Sequence, residues 1–533
     1  MTEFALRRPK LVLVVYCLVC WLPGWFGLPA TDRDESRFAQ ATKQMTETGD
    51  VVSIFNGTVP RNRKPIGIHW LQLPGVVAAE ALGWARDNPI WPYRLPSFIG
   101  ALLAVLTTYA IGRRSFGNRV ALLGAAMLAG GLLLGGEARI AKTDAALLGA
   151  TTLAMAVLAR AYLSRELRRG SALVFWAALG VAILLKGPVT PMIVGLAVLT
   201  LVVTDRRGGW LAALRPGPGI VLLLLIVLPW FVAIGLSTHG AFFRDAVGGD
   251  LAGKVSGGDD SHGAPPGTHL LLLSATMLPV GWAVLSALPG AWAARRDPAI
   301  KFLLAWTIPA WLVFEAVPTK LPHYILPLLP PLCLLAGRWA VSATGRRWWL
   351  ALSRAASVLA AILLGLGAAA VSFVVGGAWW LGLLGLIGCG PLIVVLAWPR
   401  VAPSRRVVAA LVAAPVAYAA ILGVELPNLA PLWLGPRLAA AVAESGGAPG
   451  GIAVVGMQEP SVMFALGTGT QWLSARDAAG FVAGAPGRVV VVEHRQAAAF
   501  AMAAPDARPF AEVDGFDYSN GHHEMLRLYR HTP

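Results

Sequence analysis

Charge is the first thing this chain lacks. Only 14% of its 533 residues are Asp, Glu, Lys or Arg, whereas 56% are hydrophobic and the mean hydropathy is +0.64, well outside the range of a soluble globular protein. Cysteine is scarce as well. Cys17, Cys20, Cys333 and Cys389 all fall inside apolar runs, which excludes a disulfide framework and a thiolate zinc site. There is no Walker loop and no strand leading into G-x-G-x-x-G, so no nucleotide cofactor is expected. No small-x-small cleavage site follows the first apolar run at a convincing distance, so that run reads as an uncleaved span and not a signal peptide. The formal charge of +16 would suggest a nucleic-acid partner in a soluble protein. Here the position of each base along the chain matters more than the total, and no nucleic acid is expected.

What the chain has is a succession of apolar runs. A hydrocarbon core of about 30 Å needs roughly 20 helical residues to cross. By that rule spans are expected near 11 to 28, 95 to 112, 120 to 136, 144 to 161, 171 to 186, 188 to 204, 219 to 236, 268 to 292, 301 to 317, 322 to 341, 350 to 374, 378 to 397 and 407 to 425. The reading is a polytopic α-helical membrane protein with about thirteen transmembrane helices. Every second connector is basic, as with Arg113, Arg114 and Arg119 or Arg400, Arg405 and Arg406. Alternate connectors are very short or carry acids and histidines. Because cytoplasmic connectors collect Lys and Arg, the N terminus is expected in the cytoplasm and the loops 29 to 94 and 237 to 267 on the outer face. Residues 1 to 425 form the membrane domain. Residues 426 to 533 alternate β-rich runs (451 to 457, 488 to 494) with Ala-rich ones and end in two strand-like runs around Tyr518-Ser519-Asn520-Gly521. They read as a small outer (periplasmic) α/β soluble domain that braces the helices.

Polar residues gather in the outer connectors. The first group is Asp34 and Glu35 with Arg37, opening a helix-like segment from Asp34 to Thr48 in which Asp32 or Asp34 could serve as the cap. The second, after a turn at Asn56-Gly57, is Arg61-Asn62-Arg63-Lys64-Pro65 with His69, where the proline stiffens a cation at the membrane surface suited to a lipid phosphate. The third is Glu137, Arg139, Lys142 and Asp144, the last at a helix mouth where a carboxylate must face protein or a wet cavity. The fourth is a Gly- and Pro-rich loop with Arg244, Lys254, Asp259, Asp260, His262 and His269, able to close over a substrate. The fifth is Pro318-Thr319-Lys320-Leu321-Pro322-His323-Tyr324. Acids opposite bases at one membrane face suit an anionic substrate, with a carboxylate orienting or deprotonating an acceptor hydroxyl.

The order DRDESRF, RNRKPIGIHW, EARIAKTDAAL, LLKGP, SHGAPPG and PTKLPHYILPLLPPL, within residues 10 to 345, resembles the bacterial membrane glycosyltransferases related to protein O-mannosyltransferases, in particular the aminoarabinose transferases that modify lipid A. The resemblance implies a fold of the glycosyltransferase C type. It also implies an enzyme of the bacterial inner membrane that moves a sugar from a polyprenyl-phosphate carrier to an envelope glycolipid or protein acceptor. It carries Asp34 over as the essential first-loop acid, Asp144 as the second acid, Lys64 as the carrier-phosphate base and Tyr324 as a wall of the phosphate site. Arg61, Arg63 and Lys254 would assist at the phosphate, and Glu35, beside the first acid, is expected to share its catalytic role. His262 matches a histidine implicated in binding a divalent metal ion. Arg63 stands where these relatives commonly have Glu, which removes a carboxylate from that ligand set and offers a second cation to the phosphate. A lipid or sugar transporter would also have these spans, but its charges would run through the bilayer and not collect at one face. An assembly subunit without chemistry is the third reading.

Overall fold

The computed structural model describes residues 3–84, 88–164, 167–251, 263–342, 345–398 and 401–530. In lipid, every backbone N–H and C=O must be satisfied within the chain, so apolar runs of this length become helices. Nine described helices are long and apolar enough to cross a membrane unaided, among them Trp91–Phe116, Thr143–Ser164, Arg169–Lys186 and Pro216–Ser237. Pro9–Trp21, Asn118–Gly130 and Val189–Asp205 are apolar but shorter. The span expected at 268 to 292 is two helices, Thr268–Thr276 and Gly281–Ala293. Pro279 has no N–H to continue the ladder. The Leu278 carbonyl at the break is satisfied by the Leu132 N–H at 2.8 Å and lies 3.0 Å from the Tyr418 hydroxyl.

Small residues let the central helices close on one another. A Cβ at Gly149 would lie 2.7 Å from the carbonyl oxygen of Gly100, so Trp91–Phe116 and Thr143–Ser164 meet backbone to backbone at the middle of the bundle. Peripheral helices instead turn large apolar side chains outward, such as Leu225 and Leu236 on Pro216–Ser237.

Between the first and second spans lie the helix Asp34–Thr48, a two-residue hairpin of β1 (Phe55–Asn56) and β2 (Val59–Pro60), and the helix Gly67–Ala81. The expected acid cap is absent. Arg33 occupies the cap position at φ 63° and its side chain makes no capping bond to the helix, while Asp32 turns away and accepts from the Ser461 N–H at 3.2 Å.

The C-terminal part is a five-stranded mixed sheet of β3 (Ile452–Val455), β4 (Gln471–Trp472), β5 (Val489–Glu493), β6 (Pro509–Asp517) and β7 (His522–Arg530), in the order β4-β3-β5-β7-β6. β3 pairs in parallel with β4 and β5, and β7 runs antiparallel to β5 and β6. Successive valines of β5 face opposite sides, Val489 and Val491 toward Leu438 and Leu528, Val490 and Val492 toward Ala478 and Phe500. The loops at one end of this sheet rest on the first outer loop. Phe464 packs edge-on against Tyr93 at 5.5 Å, and Gln40 donates to the Thr468 hydroxyl at 2.8 Å.

Candidate functional site

Glu35 fixes the geometry of the first loop. Its two oxygens accept from the Arg94 guanidinium at 2.8 and 3.1 Å, from the Thr31 N–H and hydroxyl at 2.9 Å each, and from the Ala141 N–H at 2.8 Å. Arg94, wholly buried, also donates to the carbonyls of Trp25, Leu28 and Pro29. One carboxylate thus binds the exit of the first span, the first-loop helix and the 138–142 connector. With every oxygen engaged inside protein, Glu35 is an anchor and not a group open to a substrate, which corrects the catalytic role expected for it. His69 is likewise interior. Its Nδ1 lies 2.7 Å from the Thr42 hydroxyl, and burial, aided by the Arg61 charge, lowers the ring to about 3, so it stays neutral. Arg139 donates to the carbonyls of Cys20, Pro23 and Gly135, holding the end of the first span.

The adjacent stretch does open on a cavity. Arg63, Lys64 and Pro65 line a space of about 320 Å³ together with Asp144, Lys186, His323 and Tyr324. The remainder is apolar: Leu147, Val189, Phe231, Phe242, Phe243, Phe314 and Pro327. Gly67 makes this assembly possible. A Cβ there would lie 2.6 Å from the Leu184 backbone, so the helix that follows Lys64 butts directly onto the turn that ends in Lys186. The Asn62 amide donates to Asp245 at 3.1 Å and ties the basic run to the second outer loop, whose Ala246 lines the cavity.

Charge inside the cavity wall is organised around Asp144, which is buried at the start of its helix. Lys186 donates to one of its oxygens, and the Lys142 ammonium lies 3.4 Å from the other. Lys142 also lies 3.3 Å from Glu137 and 3.4 Å from Nδ1 of His323. Burial pulls the Lys142 ammonium down, but the Glu137 and Asp144 carboxylates outweigh it and hold it above its ordinary value. Burial pushes Glu137 up to about 7 against the pull of Lys142. Lys186 sits 5.3 Å over the Tyr324 ring, which packs edge-on against His323 at 5.1 Å. Among the described residues, the charged groups that line the space are three cations, Arg63, Lys64 and Lys186, and one carboxylate, Asp144.

The structure therefore brings together Arg63, Lys64, Asp144 and Tyr324 and leaves Asp34 and Arg61 beside them, outside the lining. Asp34 is half exposed, with Arg61 at 4.0 Å, and its charge reaches both Lys142 and His323. Arg61 is also stacked 4.7 Å over Phe38. Lys254 and His262 lie outside the described residues. Lys186 and His323 belong to the site equally; His323 stood in the fifth polar group without an assigned role, and Lys186 had none. The signal for Lys186 was its place, a base between a long apolar run and Gly187-Pro188. Among the described residues, the donors around the cavity do not suit a divalent ion, since Glu137, Asp144 and His323 each lie within 4.0 Å of Lys142 or Lys186 or of one another, and Arg63 adds a further cation. Among the described residues, the three-ligand group close enough to share an ion is Glu493, His494 and Glu524, none of which lines the cavity, and Arg495 pairs with both carboxylates.

This is a multi-pass membrane protein of the GT-C fold class, with a cationic pocket where residues 63–65 and 242–246 meet the ends of its helices. Residues 80–232 match the family described as dolichyl-phosphate-mannose-protein mannosyltransferase. The undecaprenyl phosphate-alpha-4-amino-4-deoxy-L-arabinose arabinosyl transferase of Pseudomonas aeruginosa (strain LESB58) is 30% identical over 311 residues, 57% of this chain and 54% of the relative. Enzyme 2 of that name from Pseudomonas fluorescens (strain Pf0-1) is 30% identical over 338 residues, 61% and 58% of the two chains. The chain spans about half the length of the curated relatives it matches. ArnT from Cupriavidus metallidurans, in a crystal structure bound to undecaprenyl phosphate, shares the fold with a TM-score of 0.76 at 21% identity over 97% of both chains. In sequence the chain is similar to these transferases, and in fold to ArnT.

Proposed function

We propose that the protein is a glycosyltransferase that takes a sugar from a polyprenyl-phosphate carrier and passes it to an envelope acceptor, lipid A or a related glycolipid. The observation that carries this reading is the lining of the cavity: three cations against one carboxylate, on walls otherwise made of Phe, Leu, Val and Pro. A phosphate monoester on an apolar tail satisfies both halves, its charge against Lys64, Arg63 and Lys186 and its isoprenoid units along Phe231, Phe242 and Phe243. The likeness to transferases named for undecaprenyl-phosphate aminoarabinose supports the same donor class.

In transfer, the bond between the anomeric carbon and the phosphate oxygen breaks, and its electron pair stays on the phosphate. Fixed ammonium and guanidinium groups stabilise that developing charge more than the ground state. Lys186 is held in place by Asp144 and the Tyr324 ring, so it is set before the carrier arrives. Asp34, half exposed beside the cavity, orients the acceptor, and attack from the face opposite the phosphate inverts the anomeric carbon. An acceptor that is itself a phosphate needs little base catalysis, so Asp34 then acts by position. No step is routed through a metal. In this reading the protein sits in the inner membrane with the cavity and C-terminal sheet in the periplasm, which the arginine-rich connectors at the other end of the helices support.

Incubating the purified protein with radiolabelled polyprenyl-linked sugar and lipid A tests this. Label in lipid A supports the reading; label that crosses a proteoliposome membrane without transfer would make it a transporter, and label on protein alone would change the acceptor.

A further inference from the structure

A second cavity, of about 890 Å³, opens at the other end of the helix Asn118–Gly130, away from Glu137 and the site described above. Its wall follows one face of the helix Pro403–Tyr418, where Arg405, Val408, Val412 and Val416 recur every three or four residues. Arg119 and Ser404 join Arg405 at its mouth, and Pro391 and Val395 close the side. From Arg405 to Val416 the helix rises about 16 Å, roughly half of a 30 Å hydrocarbon core. The groove is one leaflet deep, polar at its rim and apolar below. Among the described residues no carboxylate lines it, and Arg119 and Arg405 belong to no ion pair. Both arginines are exposed.

We infer that this groove binds one anionic glycerophospholipid from the leaflet at the arginine-rich end, its phosphate on Arg119 and Arg405 and an acyl chain along Val408 to Val416. The charge chooses an anionic head over a zwitterionic one. The depth chooses an acyl chain that ends at the midplane, because a polyprenyl tail would overrun the groove. The site is independent of the proposed transfer reaction, and its test does not depend on turnover.

Full-length protein in mild detergent is titrated with phosphatidylglycerol or phosphatidylethanolamine and read by native mass spectrometry. The wild type is expected to hold one phosphatidylglycerol with about a tenfold preference, from two arginines near the surface. Arg119→Gln with Arg405→Gln removes the preference, and Val412→Trp, which blocks the groove and keeps both charges, removes the bound lipid. Lys64→Ala leaves it in place. Equal retention of the two lipids, or a preference that survives the double substitution, overturns the inference. So does loss of the lipid in Lys64→Ala, which would put it in the other cavity, or its displacement by undecaprenyl phosphate in that variant.

Discussion

The backbone N–H of Asp32 donates to the Tyr518 hydroxyl at 2.5 Å, joining residues 486 positions apart. Arg33 donates to the Ser519 carbonyl at 2.8 Å beside it, and Asp32 accepts from the Ser461 N–H on its other side. The residue after this clamp is Arg33 at positive φ, and the next is Asp34. The C-terminal sheet therefore sets the angle at which the first-loop acid enters its helix. Tyr518→Phe leaves the ring and removes the acceptor, at a cost of about 1–2 kcal/mol for a polar group that loses its partner. We expect turnover to fall severalfold with undecaprenyl-phosphate affinity unchanged. Equal loss in binding and turnover would mean that the contact supports the fold as a whole.

Glu459 stands near Asp32 and Asp517 in that same contact, with Arg33 and Arg37 partly compensating. Burial, then the two neighbouring carboxylates, pushes it up to about 7. A carboxyl raised in the folded state binds its proton more tightly there than when unfolded, so its contribution is full below about 4.5 and is lost as pH rises to about 7. Thermal unfolding of the wild type should show that loss between pH 5 and 7. Glu459→Gln should flatten the profile and be the more stable protein at pH 8. An unchanged slope would show that Glu459 does not carry it.

Asp34 and Glu35 are neighbours with opposite expected phenotypes. Glu35→Gln breaks a buried ion pair and leaves Arg94 facing carbonyls alone, which costs about 3–5 kcal/mol. The outcome is loss of folded protein in size-exclusion and thermal assays. Asp34→Asn alters a half-exposed side chain, and should abolish transfer while the melting temperature stays within a few degrees.

The contrast between those two residues also marks what the sequence could disclose. The helix from Asp34 to Thr48, the turn near Asn56-Gly57 and the hairpin around Tyr518-Gly521 were legible because turns and apolar periods are local, although the cap of that helix was not. So was the cluster of Lys64, Asp144 and Tyr324, through motif order. The partner of Glu35 was not, since Arg94 lies 59 residues away and nothing local marks a base inside an apolar run as bonded and not snorkelling. Lys186 stands in LLKGP with nothing local to mark its partner, and its ion pair with Asp144 arises only where two helices meet. The break at Pro279 was hidden for the same reason: a proline in an apolar run is tolerated until the surrounding helices supply partners for the freed carbonyl.

Within the cavity, Asp144→Asn and Lys186→Ala should separate binding from chemistry. Removing the lone lining carboxylate makes the space more cationic, so the carrier should bind as well as before or more tightly while transfer falls by about 100-fold, as for loss of one preorganised electrostatic contact. Lys186→Ala should weaken both. Weaker carrier binding in Asp144→Asn would show that the carboxylate acts chiefly by holding the wall together.

The central claim is that Lys64 grips the phosphate of a lipid carrier. Equilibrium binding of undecaprenyl phosphate to detergent-solubilised wild type and Lys64→Ala measures it without any assumption about the sugar or the acceptor. Loss of a charge-assisted contact predicts about 10- to 100-fold weaker binding with unchanged thermal stability. Equal affinity in the two proteins would contradict it.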